Sequence, residues 1–546
     1  MSTQPSSDET DSALSPQPSA RKIGPQFSAL AKGIALAALL VALGNIASRV
    51  LGLARNSTVA YLFGRASVDV NAYSVAWLIP NTLYDFLING AISAALVPVF
   101  SAYAEGDDDE FWRVACGVIN LAMLVLVALT ALLALAAPFV VQLVTQDTEP
   151  GLRAQTLVLV RLMLLAVPLM GLSGLLTALL YARRRFLLPA FVASAFNAGI
   201  IAGALLLHRQ LGIESLAAGM LLGALVQVLI QLPGLRGGRY RLALNWRHPG
   251  VRRVLALYGP VALGMGFSII GAVIDRRLAS GFAGAPATMS YATTLIQFPL
   301  GLVAAAVSTA VLPTLSRQSV ANDEENFRAT FALGLKVVLL LVVPATAALA
   351  VLRGPVVALL FEGGQFSADD SQKTALALLC YLPGLPAAAV DQMLLFAFYA
   401  RRNTLTPNLV QGAAIGIYLL TALPLVFATR LGFLALVLGN AAQWIGHAVL
   451  LWLLLRRAVP LGGLRLGEAS AKIVLASGVM ALALGGMLAL LPRVGLALQG
   501  RFYGGVVPVL LGGVLGALVY FGACAVLRVE ALGFFVGAVR GRLRRR

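Results

Sequence analysis

Residues Ser48 to Tyr103 read SRVLGLARNSTVAYLFGRASVDVNAYSVAWLIPNTLYDFLINGAISAALVPVFSAY, and this stretch decides the fold class of the chain. It is mostly apolar and lies beside apolar runs long enough to cross a bilayer. Polar and helix-interrupting residues are set within it: Arg49, Arg55, Asn56, Asp69, Asn71, Pro80, Asp85, Asn89 and Pro98. Ionisable groups at membrane depth are costly, and broken helices are tolerated there when they line a cavity. The stretch therefore predicts the first two helices of a transporter, lining a polar, partly cationic central cavity.

A plainer interpretation of the same residues stays open. Long arginine side chains reach the membrane interface from within a helix, and prolines also occur as simple kinks. Arg55 is compatible with a loop. The cavity interpretation depends most on the combination of Arg49 with Asn71, Pro80 and Asn89.

The composition is that of a polytopic membrane protein. Of the 546 residues, 59% are hydrophobic and only 12% are charged, whereas soluble proteins have about 25% charged residues. The net charge of +18 suggests nucleic acid at first sight. The Lys and Arg residues lie mainly in short loops, however, so membrane topology explains them and no nucleic-acid partner is predicted.

Apolar runs predict an all-α fold of about fourteen transmembrane helices. The predicted spans are 30–52, 70–103, 113–143, 154–182, 187–208, 213–235, 252–283, 287–315, 329–352, 372–400, 406–428, 432–455, 470–491 and 504–527. Residues 1–27 are polar, without apolar periodicity, and predict a disordered tail. Most Lys and Arg fall in segments that are inside when both termini are cytoplasmic. Residues 528–546 form a basic tail suited to anionic lipid heads.

The chain repeats itself. YARRRFLLP (Tyr181 to Pro189) recurs as YARRNTLTP 218 residues later, LVPVFS (Leu96 to Ser101) recurs as VLPTLS 215 residues later, and DDEFWR (Asp108 to Arg113) recurs as DEENFR at the same offset. An offset of six helices predicts two parallel six-helix halves, related by an axis along the membrane normal. We expect an N-terminal half at 28–236, a C-terminal half at 252–455, and two added helices at 470–527.

Several other classes of protein are disfavoured. No GxxxxGK[ST] motif indicates an ATP-driven pump, no Ser/His/Asp constellation indicates an enzyme, and no filter motif indicates a channel. Cys116, Cys380 and Cys524 are far apart, so no disulfide, metal site or cofactor is predicted. His447 lies within a predicted span, either as a proton relay or as a hydrogen-bonded packing residue. Alternating access between the two halves is the expected mechanism.

The motifs resemble those of the MviN/MurJ lipid II flippases of bacteria, in the superfamily of multidrug and oligosaccharidyl-lipid exporters. The similar segments are SRVLGLARN (Ser48 to Asn56), Pro80-Asn81, GAISAALVPVFSAY (Gly90 to Tyr103), RFLLPAFVASAFN (Arg185 to Asn197), YATTLIQFPLGLVAAAVSTAVLPTLSR (Tyr291 to Arg317), LFEGGQFSADD (Leu360 to Asp370) and FYARRNTLTP (Phe398 to Pro407). They follow the family's order, and the family also adds two helices to a twelve-helix core.

The resemblance implies a transporter of the bacterial plasma membrane, not an enzyme. Such proteins move undecaprenyl-diphosphate-linked disaccharide-pentapeptide, the peptidoglycan precursor lipid II, from the inner to the outer leaflet. A diphosphate needs a cationic aqueous cavity, because hydrocarbon does not accept its charge. By matching positions, Arg49 and Arg55 would face the diphosphate, and Asn81 would shape the break in the second helix. A monovalent cation or the membrane potential would supply the energy.

The chain departs from the family's charge pattern at several positions. Asn56 stands where the family usually has an acid, Asn71 replaces an aspartate, Tyr84 replaces an arginine and Asn89 replaces a glutamate. Thr293 and Thr294 replace an Asp-Arg pair. Within the cavity, Arg276, Arg277 and Lys336 are candidate replacement cations, and Asp275 and Asp391 are candidate replacement acids. Arg276 and Arg277 are equally suited to be anchors at the outer end of the seventh span.

Three hypotheses follow from these departures. The first is a lipid II flippase whose charges have moved. The second is a paralogue with the same fold that carries another polyprenyl-linked glycan, or that no longer transports and acts as a scaffold. The third, a drug/cation antiporter, would favour an acidic cavity, and the basic character of this chain argues against it.

Overall fold

A computed structural model describes residues 25–89, 95–146, 149–242, 244–459, 465–494 and 500–533. Most of these residues are helical, and no β-strand occurs among them beyond one bridge between Gly363 and Phe366. The all-α prediction is therefore confirmed. Most of the predicted tails, 1–24 and 534–546, lie outside the described residues, and the first helix begins at Pro25, within the predicted tail.

Eleven helices precede the long linker at 236–248. They are α1 (Pro25–Phe63), α2 (Val68–Ala76), α3 (Leu78–Tyr84), α4 (Val97–Ala104), α5 (Asp108–Leu135), α6 (Ala137–Val144), α7 (Leu152–Leu164), α8 (Val167–Ala182), α9 (Leu187–Ala190), α10 (Val192–Leu211) and α11 (Glu214–Gln231). Nine follow it. They are α12 (Pro249–Ala279), α13 (Ala285–Val320), α14 (Glu324–Phe361), α15 (Ala368–Tyr381), α16 (Gly384–Ala400), α17 (Leu405–Ala428), α18 (Leu434–Ala458), α19 (Leu466–Leu490) and α20 (Val507–Val526).

Every predicted span coincides with helix in the described residues. Nine of these helical segments are long and apolar enough to cross a bilayer, and α15 with α16 gives a tenth, bent by 46°. The count of fourteen remains a prediction. The second predicted span is broken, as expected: α2, α3 and a π-helical turn at Asp85–Asn89 precede α4. Pro98 lies in the first turn of α4, where proline is well tolerated.

The duplicated YARR motif forms the same turn twice. Arg184 and Arg402 both have a φ of 58°, and each donates its backbone N–H to the tyrosine carbonyl three residues earlier. The preceding arginine in each copy, Arg183 or Arg401, bonds to an acid at the start of a neighbouring helix, Asp108 or Glu324. We call each of these arginine–acid contacts a clasp.

Aromatic rings complete both clasps. The Arg183 guanidinium lies 4.8 Å from the Phe111 ring centroid and 5.0 Å from that of Trp112. The Arg401 guanidinium lies 5.6 Å from the Phe327 centroid. The sequence repeat is thus also a repeat of local structure. The turn after α8 is thus fixed to the start of α5, and the turn after α16 is fixed to the start of α14.

The helices α19 and α20 form a small separate core against α14. Ile473, Met480 and Leu484 are buried there, and Tyr520 donates a hydrogen bond of 2.7 Å to the Leu340 carbonyl on α14. Lys336 of α14 pairs with Glu530 at 2.9 Å beyond the end of α20. The hydrogen bond and charge of this ammonium hold the pKa of Glu530 below its usual value.

Candidate functional site

A polar cavity of about 340 Å³ lies between α1, α10 and α13. The α1 residues that line it recur every three or four positions, so they form one face of that helix. The lining residues are Asn45, Ser48, Arg49, Gly52, Leu53, Arg55, Asn56, Asn197, Thr294, Gln297 and Phe298. They include two arginines and no Asp or Glu. The cavity is therefore cationic and suited to an anion.

Arg49 crosses the cavity from α1 to α13. Its Nη1 donates a hydrogen bond of 2.9 Å to the backbone carbonyl of Gln297. The guanidinium then lies directly against Gly301, and a Cβ added at that glycine would collide with it. A residue larger than glycine is therefore incompatible with this position of Arg49. Arg49 has no acidic partner among the described residues.

Arg55 is placed by an aromatic ring and an amide. Its guanidinium lies 4.6 Å from the Trp77 ring centroid, and its Nε and Nη2 donate to Asn56 Oδ1 at 3.2 and 3.1 Å. Neither contact neutralises its charge. In its turn, Asn56 donates from Nδ2 to Thr294 Oγ1 at 2.6 Å. Two positions at which the chain departs from the family's charges therefore meet each other across the cavity.

The other predicted residues lie away from this cavity in the described structure. Asn71 is buried, and its Oδ1 accepts the backbone N–H of Ala287 at 3.3 Å. Asn81 donates to Asp85 Oδ2 at 3.0 Å, within the broken second span. Tyr84 is partly buried against the main core. The side chain of Asn89 lies outside the described residues.

Arg276 and Arg277 do not line the cavity either. Arg277 is exposed, and its Nη1 donates to the carbonyls of Gln142, Leu143 and Thr145 at the end of α6. A cation at the carboxyl end of a helix is stabilising, so its geometry fits the anchor interpretation. Arg276 donates to the Pro286 carbonyl at 3.4 Å. Lys336 was a candidate replacement cation, but it pairs with Glu530 instead, because α20 packs across that face of α14.

A buried contact network joins the two halves at the end of the bundle that carries Arg65. Arg65 Nε lies 2.9 Å from Asp370 Oδ1, with side chains 7% and 10% exposed, and its Nη1 donates to Thr288 Oγ1 at 3.0 Å. Nearby, Tyr291 donates to the Gly64 carbonyl at 3.0 Å. Sequence reasoning missed this network. Only the Ser367–Asp370 capping box at the start of α15 was visible as a pattern.

Comparison with known proteins identifies the family of this chain. A family model described as "Lipid II flippase MurJ" matches residues 59–499. This chain belongs to the lipid II flippase MurJ family. Arg49 and Arg55 lie just before the matched residues. The resemblance found from the motifs is confirmed, and flippases are transporters, not catalysts.

Curated MurJ relatives are similar over most of their length. The lipid II flippase MurJ of Burkholderia cenocepacia is 31% identical over 77% of this chain and 83% of its own. The probable lipid II flippase MurJ of Rhizobium meliloti is 30% identical over 75% and 79%.

Solved structures agree on the fold. A lipid II flippase MurJ in an inward closed conformation has a TM-score of 0.74 at 24% identity, covering 90% of this chain and 100% of its own. An inward-facing multidrug resistance MATE transporter has a TM-score of 0.65 at 13% identity, covering 78% and 96%. The chain is thus a membrane protein with the MurJ and MATE transporter fold.

Proposed function

We propose that this chain moves lipid II from the inner to the outer leaflet of a bacterial plasma membrane. The cavity that contains Arg49 and Arg55 would hold the diphosphate. One observation carries the proposal: both arginines line one cavity between α1 and α13, and neither is neutralised by an acid among the described residues. Two guanidinium groups offer the paired donors that phosphate oxygens bind most strongly.

The contact network around Arg65 supports the same proposal. With both termini cytoplasmic, as the loop charges predict, the Arg65 end of the bundle is the outer end. A buried ion pair then keeps that end shut. A carrier that is closed at its outer end and has a cationic cavity is suited to accept an anionic headgroup from the cytoplasmic leaflet. Membrane potential acting on the cavity charges would contribute about 2.3 kcal/mol per charge moved through 100 mV.

The neutral pair of Asn56 and Thr294 favours a second candidate function. Where the resemblance implies an acid and an arginine, this chain has only a hydrogen bond between neutral groups. A cavity with fewer charges suits a polyprenyl-diphosphate that carries a different glycan. It also suits a paralogue that acts as a scaffold without transporting.

Complementation tests the proposal. The chain is expressed in a bacterium depleted of its own lipid II flippase, and lipid II in the outer leaflet is followed. Wild type and Arg430→Ala are expected to restore growth, because Arg430 lies exposed in a loop. The double variant Arg49→Ala/Arg55→Ala is expected to fail while remaining in the membrane. Rescue by the double variant would refute the diphosphate role, and failure of wild type would favour the second candidate.

A further inference from the structure

A second polar cavity, of about 320 Å³, lies in the C-terminal half among α13, α16, α17 and α18. Four glutamines, one aspartate and one histidine give it polar walls. Its lining residues are Thr293, Ile296, Gln297, Leu300, Ala388, Asp391, Gln392, Gln411, Gln443, Trp444 and His447. None of these residues is a lysine or an arginine. The aspartate and histidine are therefore the acidic and basic side chains within this lining.

His447 is held between two oxygen atoms. Its Nδ1 lies 2.6 Å from Asp391 Oδ1, and its Nε2 lies 3.4 Å from the backbone carbonyl oxygen of Pro407. The His447 side chain is 7% exposed and that of Asp391 is 18% exposed. The pair is therefore largely removed from bulk water, yet Asp391 still borders the cavity.

Both ring nitrogens of His447 face groups that accept hydrogen bonds. A carbonyl oxygen only accepts, and an ionised carboxylate only accepts. A neutral imidazole has one N–H, so it satisfies one of these oxygens and turns a lone pair toward the other. One added proton allows both oxygens to accept a hydrogen bond, because the imidazolium donates from both nitrogens. The geometry is thus that of a site for one exchangeable proton.

The neighbouring helices add few other charged or titratable groups. On α16, Tyr399 interacts electrostatically with Asp391. On α12, Asp275 accepts hydrogen bonds from Tyr418 of α17 and from Asn440, which precedes His447 by two turns of α18. The polar residues that α13 contributes to the lining are Thr293 and Gln297, and α15 presents Tyr381, whose ring stacks on Trp444.

The two cavities share a wall. Gln297 of α13 lines the cavity of His447 and also the cavity of Arg49, and its backbone carbonyl accepts the hydrogen bond from Arg49. Thr293 and Thr294, one residue apart, face the two cavities separately. A change of charge beside α13 in one cavity therefore acts on the helix that positions the cation of the other.

We propose that the pair of Asp391 and His447 is a proton-binding site that takes up and releases one proton in each transport cycle. The proposal rests on the proposed flipping of a lipid-linked diphosphate and adds its driving ion. A proton from the outer solution adds to the lone pair of an imidazole nitrogen and forms a new N–H bond. The same proton later leaves to the inner solution, so no other bond is made or broken. The added charge acts on α13, and α13 in turn changes the position of Arg49.

Histidine NMR tests the site without any transport. The chain has three histidines, so protein labelled with [¹⁵N]histidine in nanodiscs gives three pairs of imidazole nitrogen signals, which His208→Gln and His447→Gln assign. We expect His447 to pass between its neutral and imidazolium forms between about pH 5 and pH 9. Asp391→Asn is expected to move that midpoint. A His447 that holds a single form throughout this range would overturn the proposal.

Transport in proteoliposomes tests the coupling. With one proton per cycle, a gradient of one pH unit changes the steady distribution of fluorescent lipid II about tenfold. Wild type and His208→Gln are expected to respond, whereas His447→Gln binds lipid II but no longer responds to the gradient. A response by His447→Gln equal to that of wild type overturns the proposal, as does a wild type that flips lipid II without any response. If wild type does not flip lipid II, the proposed function fails, and the histidine titration still decides whether the proton site exists.

Discussion

Asn56 on α1 and Thr294 on α13 are joined by a hydrogen bond of 2.6 Å, directly beside the Arg55 guanidinium. The two residues belong to different halves of the molecule and meet across the candidate substrate cavity. A charge placed at either position therefore acts on the cavity and on the contact between the halves at once.

The first prediction restores the missing charges one at a time. Thr294→Arg adds a cation to the cavity and is expected to tighten binding of undecaprenyl diphosphate roughly tenfold, because charge-assisted hydrogen bonds to phosphate are strong. Asn56→Asp neutralises Arg55 and is expected to weaken binding by a similar factor. The double variant is expected to bind about as well as wild type, since the new charges pair with each other. Native mass spectrometry in detergent measures all four proteins. Because additive changes in binding would also return the wild-type value, thermal unfolding of the four proteins tests the pairing itself, and additive effects of the two changes on stability would contradict it.

The second prediction concerns the glycine beneath Arg49. Gly301→Ala places a methyl group where the guanidinium lies, so Arg49 must leave the Gln297 carbonyl. We expect lipid II transport to fall toward the level of Arg49→Ala, with little loss of folded protein. Gly416→Ala is the matched control, because a Cβ there meets nothing within 4 Å. Equal transport by the two alanine variants would show that the position of Arg49 is not needed.

The third prediction tests the buried ion pair. Arg65→Ala leaves the Asp370 carboxylate buried without its partner, a change that typically costs about 3–5 kcal/mol. We expect the Arg65 end to open, and Arg65→Ala/Asp370→Ala to close again in part. Spin labels at Ala66 and Ala283, both exposed, report the distance between the halves by electron paramagnetic resonance. An unchanged distance distribution in Arg65→Ala would mean that the pair does not hold this end shut.

The fourth prediction uses two adjacent arginines with opposite roles. Arg401→Gly removes the clasp to Glu324 and the contact with Phe327, so it is expected to destabilise the fold by about 1–2 kcal/mol. Arg402→Gly replaces a residue whose φ is 58° and is expected to stabilise the fold by about 1 kcal/mol. Thermal unfolding of the two variants in one detergent measures both effects. Shifts in the same direction would refute the assigned roles.

The hydropathy of the chain and its duplicated motifs predicted the helical architecture well. A bilayer forces backbone polar groups into helices, so apolar run length alone locates most spans. Two arginines in apolar surroundings indicated the wall of the cavity, and two prolines indicated the broken second span. These signals are local in the sequence and need no partner to be recognised.

Contacts between the halves could not be predicted in the same way. The Arg65–Asp370 pair joins residues 305 positions apart, and the sequence around each residue does not indicate its partner. Asn71 was expected in the cavity because it is polar, but its side-chain Oδ1 accepts a hydrogen bond from a backbone N–H on α13. His447 illustrates the same limit, because the sequence around it does not indicate that its ring lies opposite Asp391, 56 positions away.

The hydrogen bond from Arg49 to the Gln297 carbonyl gives this guanidinium a partner within the protein. A neutral carbonyl is a weaker partner for a guanidinium than a phosphate oxygen. If a diphosphate binds at Arg49 as proposed, it would displace this carbonyl, and α1 would lose a hydrogen bond to α13. Substrate binding would then be coupled to the contact between the two helices through this one bond.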